Sequence, residues 1–152
     1  MKGLVLAIGA VVTAVSLSYG LGIASASSSS AAAGTKVGVA SSTLGRILVD
    51  SHGRTLYLFA KDTKGKSACS GPCAAYWPPL LTSGKPHAFA GAKASLLGTT
   101  RRGNGRLQVT YRHHPLYRYA GDSAKGQTNG QSLDDFGGEW WVLSPAGNKI
   151  VS

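Results

Sequence analysis

The chain has 152 residues, 16 Lys and Arg against 6 Asp and Glu, a formal net charge of +10 and two cysteines. That length holds one modest domain and excludes a TIM barrel. An apolar fraction of 43% excludes wholesale disorder. Two cysteines are too few for a disulfide-dense miniprotein.

The N-terminus reads as an export signal. Met1-Lys2 supplies one charge, Gly3 to Ile23 carries none, and Ala24-Ser25-Ala26 has the small-x-small pattern of a cleavage site. Residues 1–26 are the expected signal peptide. An uncleaved membrane anchor is the rival reading, because an apolar run of that length spans a bilayer. Cleavage leaves 126 residues and, with Lys2 gone, a net charge of +9. A chain of that size buries enough surface for one real core. Residues 27–35, mostly Ser and Ala, read as a flexible tether. The folded part is expected at 36–152, as a single β domain.

A shift of sixty residues lays the chain on itself. Gly45-Arg46-Ile47-Leu48-Val49 falls over Gly105-Arg106-Leu107-Gln108-Val109, and the segment Leu56 to Asp62 over Leu116 to Asp122. Seven of eighteen aligned positions are identical without a gap. Both copies later reach tryptophan, at Trp77 and at Trp140-Trp141. The copies span about 44–80 and 104–142. Each reads as strand, turn, strand: Ile47 to Val49, a turn at Ser51-His52-Gly53, then Thr55 to Phe59, rich in β-branched and aromatic residues. Tyr57 and Phe59 share one face, as do Tyr117 and Tyr119, and this aromatic face is the expected shared core. The opposite face carries Leu58 in one copy and Arg118 in the other. Further strands are expected at Lys36–Ala40, Leu96–Thr100 and Glu139–Ser144. No long helical periodicity follows the signal. The predicted fold is mostly β, with two similar hairpin repeats forming a small pseudo-twofold β-sandwich or partly closed barrel.

The paired signatures Tyr57-Leu58-Phe59-Ala60-Lys61-Asp62 and Tyr117-Arg118-Tyr119-Ala120-Gly121-Asp122 flank the segment Cys69-Ser70-Gly71-Pro72-Cys73-Ala74-Ala75-Tyr76-Trp77-Pro78-Pro79-Leu80. With these motifs the chain resembles the bacterial secreted-repeat family of predicted lipoproteins bearing a Tyr-x-(Phe/Trp/Tyr)-x-x-Asp motif. The resemblance runs from about Leu44 to Val142. It implies an exported bacterial protein, often attached to the envelope by lipid. Here no cysteine precedes Cys69, so the lipobox of such anchors is missing. The resemblance supplies no established activity. Some members carry an association with alkane utilisation through annotation transfer. These residues contain no di-iron carboxylate set, flavin fingerprint or haem-attachment motif that would support it.

Cys69 and Cys73 in an exported chain read first as a disulfide clamping the Gly71-Pro72 turn. A redox pair or a metal site completed by His113 or His114 is the alternative. His52, His87, His113 and His114 all fall in turns or loops. Asp62 and Asp122 read as caps on the turns that end their aromatic strands, with a catalytic carboxylate pair as the alternative. Trp77, beside Pro78 and Pro79, and Trp140-Trp141 are hard to bury whole. An exposed Trp there would suit a sugar or apolar ligand. Arg101, Arg102, Arg106, Arg112 and Arg118 read as a solvated cationic face. It points to anionic envelope polymers or a lipid surface as partners, with no specific nucleic acid. No Gly-x-Ser-x-Gly, phosphate loop or dinucleotide fingerprint occurs, so no catalytic residue, metal or cofactor is assigned. The resulting expectation is an exported, non-catalytic β-repeat domain of the envelope or secreted fraction. A small extracytoplasmic redox or metal-handling protein is the rival.

Overall fold

A computed structural model describes residues 33–151. The expected signal peptide and most of the tether lie outside the described residues. Ten short strands run in chain order among the described residues: β1 Lys36–Ser42, β2 Gly45–Asp50, β3 Tyr57–Phe59, β4 Leu81–Thr82, β5 His87–Ala88, β6 Leu97–Arg101, β7 Leu107–Tyr111, β8 His114–Pro115, β9 Asp134–Asp135 and β10 Gly138–Val142. Among the described residues, helix is limited to α1, Pro72–Tyr76, and one 3-10 turn at Ala94–Leu96. The strands make three small sheets, ordered β2-β1-β5, β3-β10-β9 and β4-β7-β6, with β8 added to β7. These sheets do not form a closed barrel among the described residues.

The two copies meet at their tyrosines. Tyr57 and Tyr117 exchange both backbone hydrogen bonds, at 2.9 and 3.0 Å, as an antiparallel bridge. Each copy's aromatic strand then pairs with the tryptophan segment of the other copy. β3 lies antiparallel to β10, with Phe59 opposite Trp140 and Tyr57 opposite Val142. On the far side, Tyr117 bridges Pro79, and the amides of Arg118 and Ala120 donate to the carbonyls of Pro78 and Tyr76. The copies are thus interleaved, and neither one buries its own aromatic face alone.

Alternation along β2 and β3 sends side chains into two cores. Ile47, Val49, Tyr57 and Phe59 join Cys69, Cys73, Trp77, Tyr117, Trp140 and Val142 in an aromatic cluster. Leu48, Leu56 and Leu58 join Val37, Val39, Leu80, Val109, Tyr111, Leu116 and Leu143 in a largely aliphatic one. The aromatic faces thus meet in a shared core, and a second core forms beside it because both faces of the first hairpin are buried. β1 supplies the cover for the second face through Val37 and Val39.

The sixty-residue alignment also hides a change of register. In the first hairpin Val49 lies opposite Thr55, and the Asp50 amide bonds the Arg54 carbonyl, which leaves a three-residue loop closed by Gly53 at φ 76. In the second, Tyr111 pairs with His114 around a two-residue turn, Arg112-His113, with φ 47 and 67. Two residues with positive φ match the right-handed twist of the flanking strands. The shorter loop moves the pairing by one residue. A one-residue shift in a strand sends side chains to the other face, and Val109 accordingly packs in the aliphatic core while Val49 packs in the aromatic one. Gln108 takes the vacated inward position. Its amide donates to the Leu116 carbonyl at 2.8 Å, and its oxygen accepts from Arg102 at 2.7 Å.

Candidate functional site

The motif residues converge where the two copies meet. The Tyr57 hydroxyl donates to Asp122 Oδ2 at 2.6 Å, and the Tyr117 hydroxyl donates to Asp62 Oδ2 at 2.8 Å. Each tyrosine thus reaches the aspartate of the other copy. The second oxygen of each carboxylate holds its own loop: Asp62 Oδ1 accepts the Ala68 amide at 2.7 Å, and Asp122 Oδ1 accepts the Asn129 amide at 2.9 Å. The turn-cap expectation describes one oxygen of each aspartate. The other oxygen makes a cross-copy contact that spacing within one copy does not show.

Charge follows burial. Burial and the adjacent Asp122 carboxylate push the Tyr57 phenol well above its ordinary range, and burial with Asp62 does the same for Tyr117. Burial lifts the Asp62 carboxyl to about 6, against the opposing pull of the Ala68 amide, the Tyr117 hydroxyl and the Arg102 charge. The tyrosines are fixed as donors and the aspartates as acceptors.

Beside these pairs runs a column of four rings. Tyr119 stacks on Trp77 at 4.3 Å, Trp77 on Trp140 at 3.9 Å with planes 5° apart, and Trp140 on Phe59 at 4.1 Å. Tyr57 and Tyr117 meet Trp77 and Trp140 edge-on at 5.4 and 5.1 Å. Offset-stacked and edge-to-face contacts are the favoured aromatic geometries. Both indole N–H groups end on Asp135, Trp77 on its Oδ2 at 3.2 Å and Trp140 on its carbonyl at 3.0 Å. Trp77 and Trp140 are fully buried, which corrects the expectation that they are hard to bury. The long lever arms of the indoles fill the seam that a lone copy would leave open. Trp141 alone is half-buried, with Lys149 Nζ 4.8 Å above its ring. Pro78 and Pro79, half-buried, edge the strand that pairs with Tyr117. Gly130 is required where the column meets the loop. A Cβ there would lie 2.7 Å from the Trp77 ring, and the Gly130 amide donates to the Tyr57 hydroxyl at 3.2 Å.

Cys69 and Cys73 form a disulfide with Cα atoms 5.3 Å apart, buried in the aromatic cluster. Pro72 opens α1 at a position where its missing N–H is harmless. The sulfurs take each other as partners and not a histidine. Arg102 seals this loop, donating to the Cys69 carbonyl and the Ser67 hydroxyl at 2.7 and 2.9 Å. Arg118 donates from Nε to Asp50 Oδ2 at 2.6 Å, and Asp50 is only 2% exposed. Arg102 and Arg118 are therefore structural members, not parts of a purely solvated face. Arg101, Arg106 and Arg112 are exposed. Sequence reasoning missed Asp50, Arg54 and Gln108. Asp50 before a Ser-His-Gly turn was the one local signal, because Asp commonly caps such turns.

Two shallow clefts flank the seam. One, of about 420 Å³, is lined by Asp62, Lys64, Gly65, His113, His114 and Pro115. There burial, then the charges of Arg112 and His113, hold the His114 imidazole below its usual range. The other, of about 390 Å³, is lined by Asp50, His52, Arg54 and Arg118. Among the described residues no group of three or more His, Cys, Asp or Glu side chains is placed to hold a metal ion.

A family model matches this duplicated architecture twice, over residues 38–81 and 98–144. The chain belongs to the family described as a secreted repeat of unknown function. The two family matches span both tyrosine–aspartate motifs and both buried tryptophans. The family is a secreted one, and no helix among the described residues is long and apolar enough to cross a membrane. No curated protein and no solved structure matches the chain.

Proposed function

We propose that this secreted repeat is a non-catalytic binding module. It works at the bacterial envelope by attracting anionic polymers or lipid surfaces through exposed cations. The observation that carries this reading is the division of labour among its ionisable groups. Asp50, Asp62 and Asp122 are turned inward onto Arg118 and the two tyrosines, and the cysteines are paired. The other acids, Asp134, Asp135 and Glu139, all lie on the β9–β10 hairpin. The rest of the charged surface is cationic. Strand pairing brings Lys36, Lys85, Arg101 and Arg106 to one region. Lys36 pairs with His87, the Thr35 hydroxyl donates to the Leu81 carbonyl, Thr82 pairs with Leu107, and Arg101 pairs with Leu107. Such an arrangement concentrates positive potential on strands that belong to different sheets from the acidic hairpin. The two clusters on opposite faces of the first hairpin also support reading the fold as a pseudo-twofold, sandwich-like unit.

Each cation facing an anionic membrane contributes about 1 kcal/mol, decaying over a Debye length. Binding to vesicles containing phosphatidylglycerol should fall steeply between low and physiological salt. Combined Arg101→Gln and Arg106→Gln changes should weaken it with the melting temperature unchanged. Salt-insensitive binding that depends on Trp141 would overturn this reading in favour of an aromatic surface. The redox or metal-handling alternative loses its thiolates to the disulfide. Free-thiol labelling of the native protein would restore it.

A further inference from the structure

The cleft bounded by Asp50, His52, Arg54 and Arg118 lies between the copies but uses neither of the tyrosine–aspartate side-chain bonds that join them. Asp50 Oδ1 accepts the amides of His52 and Arg54 at 2.8 and 3.0 Å, and its Oδ2 accepts Arg118 Nε at 2.6 Å. One buried carboxylate therefore fixes both the turn that carries Arg54 and the guanidinium of Arg118. Arg54 is further held by one nitrogen, Nη1, on the Asp122 carbonyl. Among the described residues, Arg118 Nη1 and Nη2 and Arg54 Nε and Nη2 make no hydrogen bond, and both side chains line the same cleft. His52 is exposed at its rim. The cleft holds two guanidinium charges and one carboxylate, so it carries net positive charge.

The copies differ at these positions. Leu58 stands where the second copy has Arg118, and it is buried in the aliphatic core. Thr110 stands where the first copy has Asp50. The set draws Asp50 and Arg54 from one copy and Arg118 from the other, and the equivalent positions Thr110, His114 and Leu58 do not repeat it, so the duplication does not itself demand the Asp50–Arg118–Arg54 arrangement.

We propose that this cleft is a specific oxyanion site, in which Arg54 and Arg118 grip one phosphate or carboxylate group of an acidic ligand. An Arg anchored through one nitrogen keeps the others in a fixed fork, the geometry that suits bidentate recognition of both anions. Anchoring by Asp50 also removes rotamer freedom before the ligand arrives, which lowers the ordering cost of binding. The inference rests on the anionic-binding reading above and deepens it. It adds one defined contact per domain to the diffuse attraction.

The test is a titration of the mature domain with inorganic phosphate, and separately with acetate, at constant ionic strength, followed through the arginine Nε–Hε resonances. Arg54 and Arg118 should shift together and saturate in about the millimolar range. Saturation by phosphate assigns a phosphorylated ligand, and saturation by acetate alone assigns a carboxylate. Arg118→Lys and Arg54→Lys keep the charge and lose the fork. Each should weaken binding by at least about threefold, whereas Arg46→Gln, at the opposite end of β2 from Asp50, should not. If Arg118→Lys fails to fold, Arg54→Lys carries the test alone. Absence of saturation with either anion, or saturation unchanged in both lysine variants, would overturn the proposal. Vesicle binding separates the two ideas. If it persists in the lysine variants and disappears in the Arg101/Arg106 double variant while the cleft fails to titrate, diffuse attraction stands and the cleft does not. If the cleft titrates and vesicles do not bind, the cleft stands alone.

Discussion

Replacing Tyr57 with Phe tests the contact between the copies most directly. The change removes one oxygen and leaves the ring in its edge-on contact with Trp77. Tyr57 is fully buried and Asp122 is 2% exposed, so no solvent replaces the lost hydroxyl. Two groups lose a partner: Asp122 Oδ2, and the Gly130 amide that donates to the hydroxyl. A hydrogen bond to a charged group is worth about 1.5–3 kcal/mol, and stranding a buried partner puts the loss toward the top of that range. Asp122 keeps the Asn129 amide on its other oxygen, which moderates the loss. The expected cost is about 2–3 kcal/mol, roughly 6–15 °C in melting temperature for a domain of this size. Tyr117→Phe should cost less, about 1 kcal/mol, because Asp62 is only half-buried and water can reach its freed oxygen. Tyr119→Phe is the control. Its hydroxyl makes no hydrogen bond among the described residues, so the loss should stay within about 0.5 kcal/mol. Urea unfolding with the disulfide intact gives the values, and a double-mutant cycle with Asp122→Ala isolates the pair. A coupling energy below about 0.5 kcal/mol, or a larger loss for Tyr117→Phe than for Tyr57→Phe, would refute the reasoning.

Other outcomes follow from the same geometry. Asp62 binds a proton near pH 6 when folded and near 3.8 when unfolded, so the folded state holds more protons between these values. Its contribution to stability should therefore fall as pH rises from about 4 to 6 and level off above, and Asp62→Asn should remove that slope in pH-dependent urea titrations. His114 acts in the opposite sense. Its depressed basicity makes the folded state poorer in protons, so its contribution declines as pH drops below 6.5, and His114→Gln should abolish this decline. Reduction of the Cys69–Cys73 bond should lower stability by about 2 kcal/mol in calorimetry, the loop-closure value for so small a ring. Trp77→Phe should eliminate the far-ultraviolet exciton signal of the parallel Trp77–Trp140 pair. A signal unchanged by the substitution would mean that the stacked indole pair is not its source.

Much of the architecture is legible along the chain because it rests on local periodicity. β1, β6 and β10 fall where alternation and β-branched residues place strands, and the duplication is visible as a repeated Tyr-x-aromatic-x-x-Asp signature. Cys69 and Cys73 also read as a disulfide from spacing and export context alone. The aspartates were half legible. A short carboxylate after a strand predicts a capped turn, and Oδ1 of each makes that bond, while the tyrosine on Oδ2 belongs to a residue fifty-five or sixty-five positions away.

The sequence by itself determined that the chain carries two β units with matching aromatic faces, since such patterns express which side of a strand avoids water. Only the tertiary structure decided how those faces are satisfied. Interleaving brings each tryptophan onto the other copy's ring, so residues too large to hide in one hairpin vanish between two. A turn shorter by one residue redirects Val109 and brings Gln108 inward, although the aligned sequences show no gap. Arg102 and Arg118, indistinguishable in sequence from solvated cations, are recruited by the Cys69 carbonyl and a buried Asp50. Hydrogen bonding across long sequence separation is set by where the chain returns, and no local pattern encodes that return.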